Sequence, residues 1–424
     1  MEVTIEKFAA PGGGIAKVDG MVVFVENTCP GDVVRIEITK KNKNHAFGRV
    51  VEIIKPSPHR VEPKCALQKV CGACQMQFID YDYQLKLKKQ IVEDALGVNV
   101  NDVVPSPQIW EYRHKIQYPV SQGNGSKRIG YYKSGTHEVV NIKHCPVQPE
   151  ICDRIIDFIR GLDISGYNEK THTGVLRHVV IRVGSGKCLV TLVVNAIKIA
   201  HQVRDDMKAI YDEFEEVSGV CVNFNPKKTN VILGDKTECL VGVDFVEEGR
   251  FKIGAKTFFQ VNPRSAENIF EYVRNEIAAH AKRARNDVVV LDAYAGISAF
   301  GASIADVCER VVSVEENTEA CERARALKIP NLEIHNMDVT EFFKKEKCKF
   351  DIVIIDPPRK GCTKEALDEI KRLLKPDGKI IYVSCNPATL ARDIKYLGAK
   401  IESVQPFDLF CHTYHVETVA VIRL

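Results

Sequence analysis

Val288-Val289-Val290-Leu291-Asp292-Ala293-Tyr294-Ala295-Gly296 decides the fold. An apolar run leads into a carboxylate and then a glycine turn, the pattern of a strand buried on both faces that ends at a ligand-binding edge. A helix signal follows from Ile297 to Cys308. Arg310-Val311-Val312-Ser313-Val314-Glu315 is a second strand, ending in a carboxylate about 20 residues after the turn. A helix rich in Glu, Ala and Arg covers Glu316 to Leu327, and Asn331-Leu332-Glu333-Ile334-His335-Asn336-Met337-Asp338 gives the next strand. Phe350-Asp351-Ile352-Val353-Ile354-Ile355-Asp356-Pro357-Pro358 is a fourth and Lys379-Ile380-Ile381-Tyr382-Val383 a fifth. Strands alternating with helices at this spacing predict a doubly wound parallel sheet.

The turn reads Asp-x-Tyr-x-Gly and lacks the three-glycine pyrophosphate cradle of dinucleotide sites. Glu315 suits the hydroxyls of a ribose. A ribose-bearing cofactor without phosphates is expected, and S-adenosylmethionine meets that description. Enzymes that methylate exocyclic amines carry an aromatic residue after the paired prolines, whereas here Asp356-Pro357-Pro358 is followed by Arg359, which disfavours amine methylation. The fifth strand runs into Ser384-Cys385-Asn386-Pro387. That places one thiol at the C-terminal edge of the sheet, with Asn386 as cap and Pro387 opening a helix. A cysteine beside a helix N-terminus is expected to have a lowered pKa, as a nucleophile needs. A plain buried cysteine is the competing reading.

The chain has 15 cysteines. Met1 to Pro11 contains no apolar signal core, and no stretch approaches the ~18 apolar residues of a membrane span, so a cytoplasmic enzyme is expected. Cysteines in that setting point to metal or catalysis. Cys65, Cys71 and Cys74 form a tight cluster in a loop opened by Pro63, and Cys145, in Lys143-His144-Cys145-Pro146, is the fourth candidate ligand. Zinc takes four thiolates in two close pairs, whereas three clustered ligands plus a distant one favour a [4Fe–4S] cluster. The Cys-x3-Cys-x2-Cys spacing of radical enzymes is absent. The remaining ten cysteines, outside this set and position 385, are expected to fill the core.

Five ordered motifs resemble one family, the S-adenosylmethionine-dependent 5-methyluridine RNA methyltransferases, in particular the iron–sulfur type acting on 23S ribosomal RNA. They are Phe258-Phe259-Gln260-Val261-Asn262, Leu291-Asp292-Ala293-Tyr294-Ala295-Gly296, Asp356-Pro357-Pro358-Arg359-Lys360-Gly361, Ser384-Cys385-Asn386-Pro387-Ala388-Thr389-Leu390-Ala391-Arg392-Asp393 and His415-Val416-Glu417-Thr418-Val419. The resemblance implies Cys385 as nucleophile and Glu417 as general base. It implies Gln260, Tyr294, Glu315, Asn336 and Asp356 as the pocket for cofactor and target base, with Asp338 able to replace Asn336. Ile297-Ser298-Ala299 stands where Val-Gly-Asn is frequent in the family, so a contact from Ala299 is restricted to its backbone. Uracil C5 is a poor nucleophile until a thiolate adds to C6, and the C5 proton must then be removed by a second group. Glu417 sits in an otherwise apolar strand, where a carboxylate is costly unless used.

Residues 1–145 hold 20 Lys and Arg against 15 Asp and Glu, and the rest of the chain 39 against 41. The basic excess is N-terminal, densest at Lys40-Lys41-Asn42-Lys43-Asn44-His45, and suits a phosphate-tracking surface. Short strands at Thr4–Lys7, Val22–Val25, Asp32–Thr39 and Ala46–Ile54, with turns at Gly12-Gly13-Gly14 and Pro30-Gly31, predict a small OB-like barrel. The resemblance makes this an RNA-holding TRAM domain. Pro56-Ser57-Pro58-His59 is the expected linker. Helix signals at Asp82–Leu96, Ile151–Leu162 and His201–Glu216 mark a mixed α+β region, and Asn262-Pro263 opens a long helix to Arg283. The expected architecture is α/β. An OB-like β-barrel spans 1–55, a mixed α+β central domain with the four-cysteine site spans 56–262, and a doubly wound Rossmann-like methyltransferase sheet spans 263–424. The helix at about 82–96 is expected to pack on the catalytic domain. The expected enzyme methylates a structured RNA loop as a monomer with no membrane contact. The competing readings are a transfer-RNA 5-methyluridine enzyme, a 5-methylcytosine enzyme and a non-catalytic iron–sulfur RNA-binding protein.

Overall fold

The computed structural model describes residues 1–10, 12–123, 125–284 and 288–424. The N-terminal unit is a sheet of β1 (Glu2–Thr4), β2 (Lys7–Ala9), β3 (Gly13–Val18), β4 (Met21–Glu26), β5 (Val33–Lys41) and β6 (His45–Lys55). The strands lie in the order β1-β5-β6-β4-β3-β2, antiparallel except for β4 against β6. The sheet encloses Val3, Ile5, Ala16, Val23, Val25, Val34, Ile36 and Ala46, giving the OB-like arrangement. Two local expectations fail. The predicted strand Thr4–Lys7 is divided between β1 and β2. Gly13 and Gly14 are not turn residues but lie inside β3, where a Cβ on Gly14 would strike Thr28 and Ile5.

α1 (Tyr81–Leu96) is capped by Asp80, whose side chain accepts from Tyr83 N, and ends at Gly97 in the left-handed region (φ 69°). The central sheet contains β7 (Lys115–Gln122), β8 (Lys127–Ile129), β9 (Leu176–Gly184), β10 (Lys187–Val194), β11 (Val217–Phe224) and β12 (Lys236–Gly242), in the order β12-β11-β10-β9-β7-β8. α2 (Glu150–Gly161) and α3 (His201–Glu213) contribute to the core beneath one face. α3 stops short of the expected Glu216 because Phe214 turns into the core and Val217 already begins β11. A hairpin of β13 (Phe245–Glu248) and β14 (Phe251–Gly254) leads towards the C-terminal unit.

That unit opens with α4 (Pro263–Ala284). It continues with β15 (Val289–Ala293), α5 (Ala299–Ile304), β16 (Arg310–Glu315), α6 (Thr318–Arg325), β17 (Leu332–Asn336), α7 (Val339–Lys345), β18 (Phe350–Ile355), α8 (Lys364–Leu373), β19 (Leu374–Ser384), α9 (Pro387–Leu397), β20 (Lys400–Phe407) and β21 (Glu417–Arg423). The strand order β17-β16-β15-β18-β19-β21-β20 is a Rossmann-like sheet. It is parallel through β19, with β21 inserted antiparallel between β19 and β20. The helix expected over Ile297–Cys308 is shorter, α5 followed by a 3-10 turn at Ala305–Val307, because Ser298 takes a left-handed conformation (φ 57°) before it.

The units meet at residues 408–412. Asp408 and Lys88 are both fully buried and form an ion pair at 2.5 Å. Tyr81 Oη donates to the other Asp408 oxygen (2.8 Å), and Lys88 Nζ also donates to Phe410 O (2.9 Å). Tyr112 Oη donates to Cys411 O (2.9 Å) and Ser265 Oγ to Asp408 O (3.1 Å). Among the described residues no helix is long and apolar enough to cross a membrane.

Removing one partner of a buried pair strands the other charge. Asp408→Ala or Lys88→Met is expected to lower the unfolding free energy by about 3–5 kcal/mol in urea titration, and the Lys88→Met/Asp408→Leu double variant to recover most of it. Equal stability of the single variants and the wild-type protein would show that the pair carries no such constraint.

Candidate active site

Parallel strands end on one edge of the C-terminal sheet, and the sequence-predicted residues gather there. At the end of β15 the chain enters a strained turn, with Tyr294 (φ 62°), Gly296 (φ 56°) and Ser298 (φ 57°) all left-handed. Asp292, fully buried, braces it by accepting from Gly301 N (3.0 Å) and Ser313 Oγ (3.2 Å). Burial, reinforced by Glu315, pushes the Asp292 carboxyl up to about 7. Glu315 Oε2 accepts from Gly296 N (2.9 Å) and Oε1 from Asn317 N (2.8 Å). The carboxylate thus ties the glycine turn to the end of β16, and each oxygen retains a lone pair for a ligand hydroxyl.

Asn336 lies opposite Glu315 on the next strand. Its amide donates to Glu316 O (2.9 Å) and accepts from Thr318 Oγ1 (3.0 Å), so it shapes the loop after β16. Asp338 is committed to capping α7. Tyr294 packs against the core of the C-terminal sheet, and its hydroxyl pKa is raised by burial and by Cys362. Phe259 packs with Ile297, and the Phe258 carbonyl would lie 3.6 Å from a Cβ on Gly296, so this segment crosses the turn. Gln260 borders a small cavity with His114, Lys115, Arg182 and Glu248, facing the central sheet.

The thiol half is set by β-register. Ser384 pairs with Thr418, which brings Cys385 and Glu417 to the next rung of adjacent strands. Asn386 caps α9 as expected. The lowered thiol pKa is not found: burial and the Glu417 carboxylate push Cys385 up to about 11, with only Arg359 acting strongly against them. Glu417 is buried, and its carboxyl is raised well above its ordinary value by burial and by Asp356. Asp356 is itself pushed up to about 7 by burial and Asp292. The loop carrying Asp356 and Arg359 is held by α9. Asn386 Nδ2 donates to Arg359 O (3.2 Å), Arg392 to Lys360 O (2.9 Å), and Asp393 accepts from Cys362 N (2.9 Å) and Tyr382 Oη (2.7 Å).

Cys65, Cys71, Cys74 and Cys145 line one small cavity. Cys145 lies in the loop before α2. None of the four is in a disulfide. Burial pushes Cys74 and Cys145 up to about 12, and each senses other thiols of the set. Among the described residues no three such side chains are close enough to hold a single metal ion. Cys239 and Cys348 are exposed, against the expectation that the remaining cysteines fill the core.

The structure brings Cys385, Glu417 and Asp356 together, groups Glu315, Asn336 and Tyr294 around the turn, and sets Gln260 towards the central sheet. Sequence reasoning missed two positions. Asp292 stood in a quoted motif without a role. Arg359 had no role of its own in the sequence, because its place beside the thiol and the Glu417 carboxyl is a tertiary fact.

The family model described as tRNA (uracil-5-)-methyltransferase matches residues 181–423, and the TRAM domain model matches residues 1–51. An uncharacterised RNA methyltransferase of Halalkalibacterium halodurans is 35% identical, covering 100% of this chain and 97% of its own. One from Gloeobacter violaceus is 37% identical, covering 99% and 96%. The crystal structure of Pyrococcus abyssi tRNA (uracil-54, C5)-methyltransferase in complex with S-adenosyl-L-homocysteine matches with a TM-score of 0.78 at 28% identity, over 100% of both chains.

A thiol pushed up to about 11 by burial and by a facing carboxylate is slow to alkylate at neutral pH. Peptide-resolved iodoacetamide labelling of the free protein should show Cys385 reactivity rising up to a midpoint near 11, and Glu417→Gln should move that midpoint to lower pH. A midpoint unchanged by that substitution would separate the two groups.

Proposed function

The chain belongs to the tRNA (uracil-5-)-methyltransferase family as an S-adenosylmethionine-dependent RNA methyltransferase, and we propose that it methylates C5 of one uridine in a structured loop of 23S ribosomal RNA. The carrying observation is the β19–β21 register that sets Cys385 beside Glu417 at the ligand edge of the sheet. Cys385 Sγ, once deprotonated, adds to uracil C6, and the electron pair moves to C5 and the adjoining carbonyl. Bound S-adenosylmethionine supplies an electrophilic methyl group. C5 takes that methyl, Glu417 removes the C5 proton, and collapse of the resulting enolate expels the thiolate. Arg359 offsets the carboxylates that oppose thiolate formation. Glu315 and the Gly296 turn hold the ribose, with Tyr294, Asn336 and Asp356 shaping the rest of the pocket and Gln260 the side of the base.

The four thiols hold a [4Fe–4S] cluster in this reading. They converge from two loops, and the pKa values of Cys71, Cys74 and Cys145, raised by burial, mean that thiolates at those three positions need a positive partner. The cluster's role is structural. The protein acts as a cytoplasmic monomer, with residues 1–55, 56–262 and 263–424 as its units and the basic N-terminal sheet gripping RNA. A transfer-RNA target is the second reading, favoured by the likeness to the Pyrococcus abyssi enzyme. Mapping 5-methyluridine in ribosomal and transfer RNA from cells with and without the protein separates the two.

Cys385→Ala is expected to abolish methyl transfer while leaving cofactor affinity intact, and 5-fluorouridine RNA to trap an adduct on wild-type protein alone. Glu417→Gln should accumulate protein–RNA adducts on ordinary RNA, because the proton stays in place. An active Cys385→Ala variant removes the mechanism. Anaerobically purified protein should carry about four irons, and Ser at any of the four cysteines should bleach it. Stoichiometric zinc would refute the cluster.

A further inference from the structure

The central sheet turns Ile116, Tyr118, Val179 and Ile181 into its own core. Its opposite face carries Lys115, Gln117 and Pro119 on β7, paired with Arg182, Val180 and His178 on β9. At one end of that face, Lys115 and Arg182 border the small cavity that reaches Gln260. Four residues further along β7, about 13 Å at the rise of a strand, the same face opens into a separate cavity of about 490 Å³. No step of the methyl transfer uses it.

Its floor is polar and unpaired. The Tyr131 hydroxyl and His178 Nδ1 are shielded from solvent and have no hydrogen-bond partner among the described residues. Gln117 lines the cavity beside them. Burial pushes His178 down to about 4, so its imidazole is neutral and presents one donor and one acceptor. One wall is aromatic, with the Tyr132 and His137 rings stacked 5.2 Å apart. Positive charge lies close behind: the Arg113 guanidinium stands 5.7 Å from the Tyr131 ring centre.

These features select a ligand class. Aromatic rings in the lining suit a π-face, while a hydroxyl, a neutral imidazole and an amide, each both donor and acceptor, suit the edge of a heteroaromatic ring. An acyl chain would leave those groups unpaired, and a simple anion would leave the wall unused. We propose that this cavity receives the base of a second nucleotide of the RNA substrate, splayed out of the loop a few residues from the target uridine. The proposal rests on the reading that the target uridine enters beside Cys385 and Gln260, because the shared sheet face then carries the RNA from one cavity to the other. A second captured base makes loop shape part of substrate choice.

The test uses full-length protein and bulk RNA isolated from cells lacking it. After ultraviolet irradiation and nuclease digestion, mass spectrometry should find nucleotide adducts on the peptide spanning Tyr131 to His137. Tyr132→Ala, at a half-exposed position, should weaken binding of that RNA about tenfold, as loss of one base–aromatic stack does. It should leave S-adenosylmethionine affinity and, at saturating RNA, the 5-fluorouridine adduct unchanged. Absence of adducts on that peptide, or wild-type RNA affinity in Tyr132→Ala, overturns the proposal. Free nucleoside monophosphates binding there as tightly as RNA would also overturn it, making the occupant a free nucleotide. Failure of the Cys385 mechanism is read separately, as a missing 5-fluorouridine adduct in wild-type protein with the cavity crosslinks intact.

Discussion

The buried pair between Lys88 and Asp408 is the constraint on which the rest of the architecture depends. Two ions withdrawn from water are tolerated only when every donor and acceptor finds a partner. Here Lys88 also reaches Phe410 O, and Asp408 takes Tyr81 Oη on its second oxygen. Apolar replacement of a buried ion pair is often neutral in stability, so the pair is weighed here by what it joins. It locks α1 to the segment between β20 and β21, and β21 begins with Glu417. The lateral position of the candidate base is therefore set by a helix more than 300 residues away in sequence.

A second constraint is electrostatic. Asp292, Asp356 and Glu417 stand along one sheet edge, each with its carboxyl pKa raised by burial and by a neighbouring carboxylate. The thiol at Cys385 is pushed the same way. In the free protein the three carboxyls are biased towards their protonated forms relative to carboxyls in water. Such a site favours a ligand that carries a positive charge, and a sulfonium is one. A cation bound at this edge would lower the carboxyl pKa values around it, that of Glu417 included. The rising charge on the carboxylates opposes the thiolate, which makes Arg359, pinned by Asn386 and Thr389 on α9, the balancing element.

How much of this was legible in sequence follows from the distance over which each feature is decided. The parallel strands were legible because burial on both faces writes continuous apolar runs such as Val288–Leu291 and Ile352–Ile355. The site residues at strand ends were legible through local motifs. The thiol pKa was misjudged because a helix N-terminus contributes only about 0.3–1 kcal/mol at an exposed site, less than the desolvation and the facing carboxylate here. Glu417 faces Cys385 only through the β19–β21 register, which no local pattern encodes. Gly13 and Gly14 looked like turn residues because the close approach of Thr28 and Ile5 is a tertiary fact. The clasp at Asp408 and the cavity floored by Tyr131 and His178 join segments that no window of sequence contains together.

The four-cysteine loop belongs to the same mechanical unit as the active site. Directly after Cys74, Gln75 N and Met76 N both donate to His412 O (3.0 and 2.9 Å). Gln84 of α1 bonds Met76 O and Ile79 O through its amide nitrogen, and its amide oxygen accepts from His412 N (3.1 Å). His412 Nε2 reaches Ile109 O (3.0 Å), and the ring stacks on Trp110 at 3.9 Å between centres. The thiol loop, α1 and residues 408–412 thus form one hydrogen-bonded block that ends a few residues before Glu417. Gln75 and Met76, directly after Cys74, are where the thiol loop joins that block. The glycine turn at Gly296 stands outside it and is anchored separately by Glu315 and Asp292.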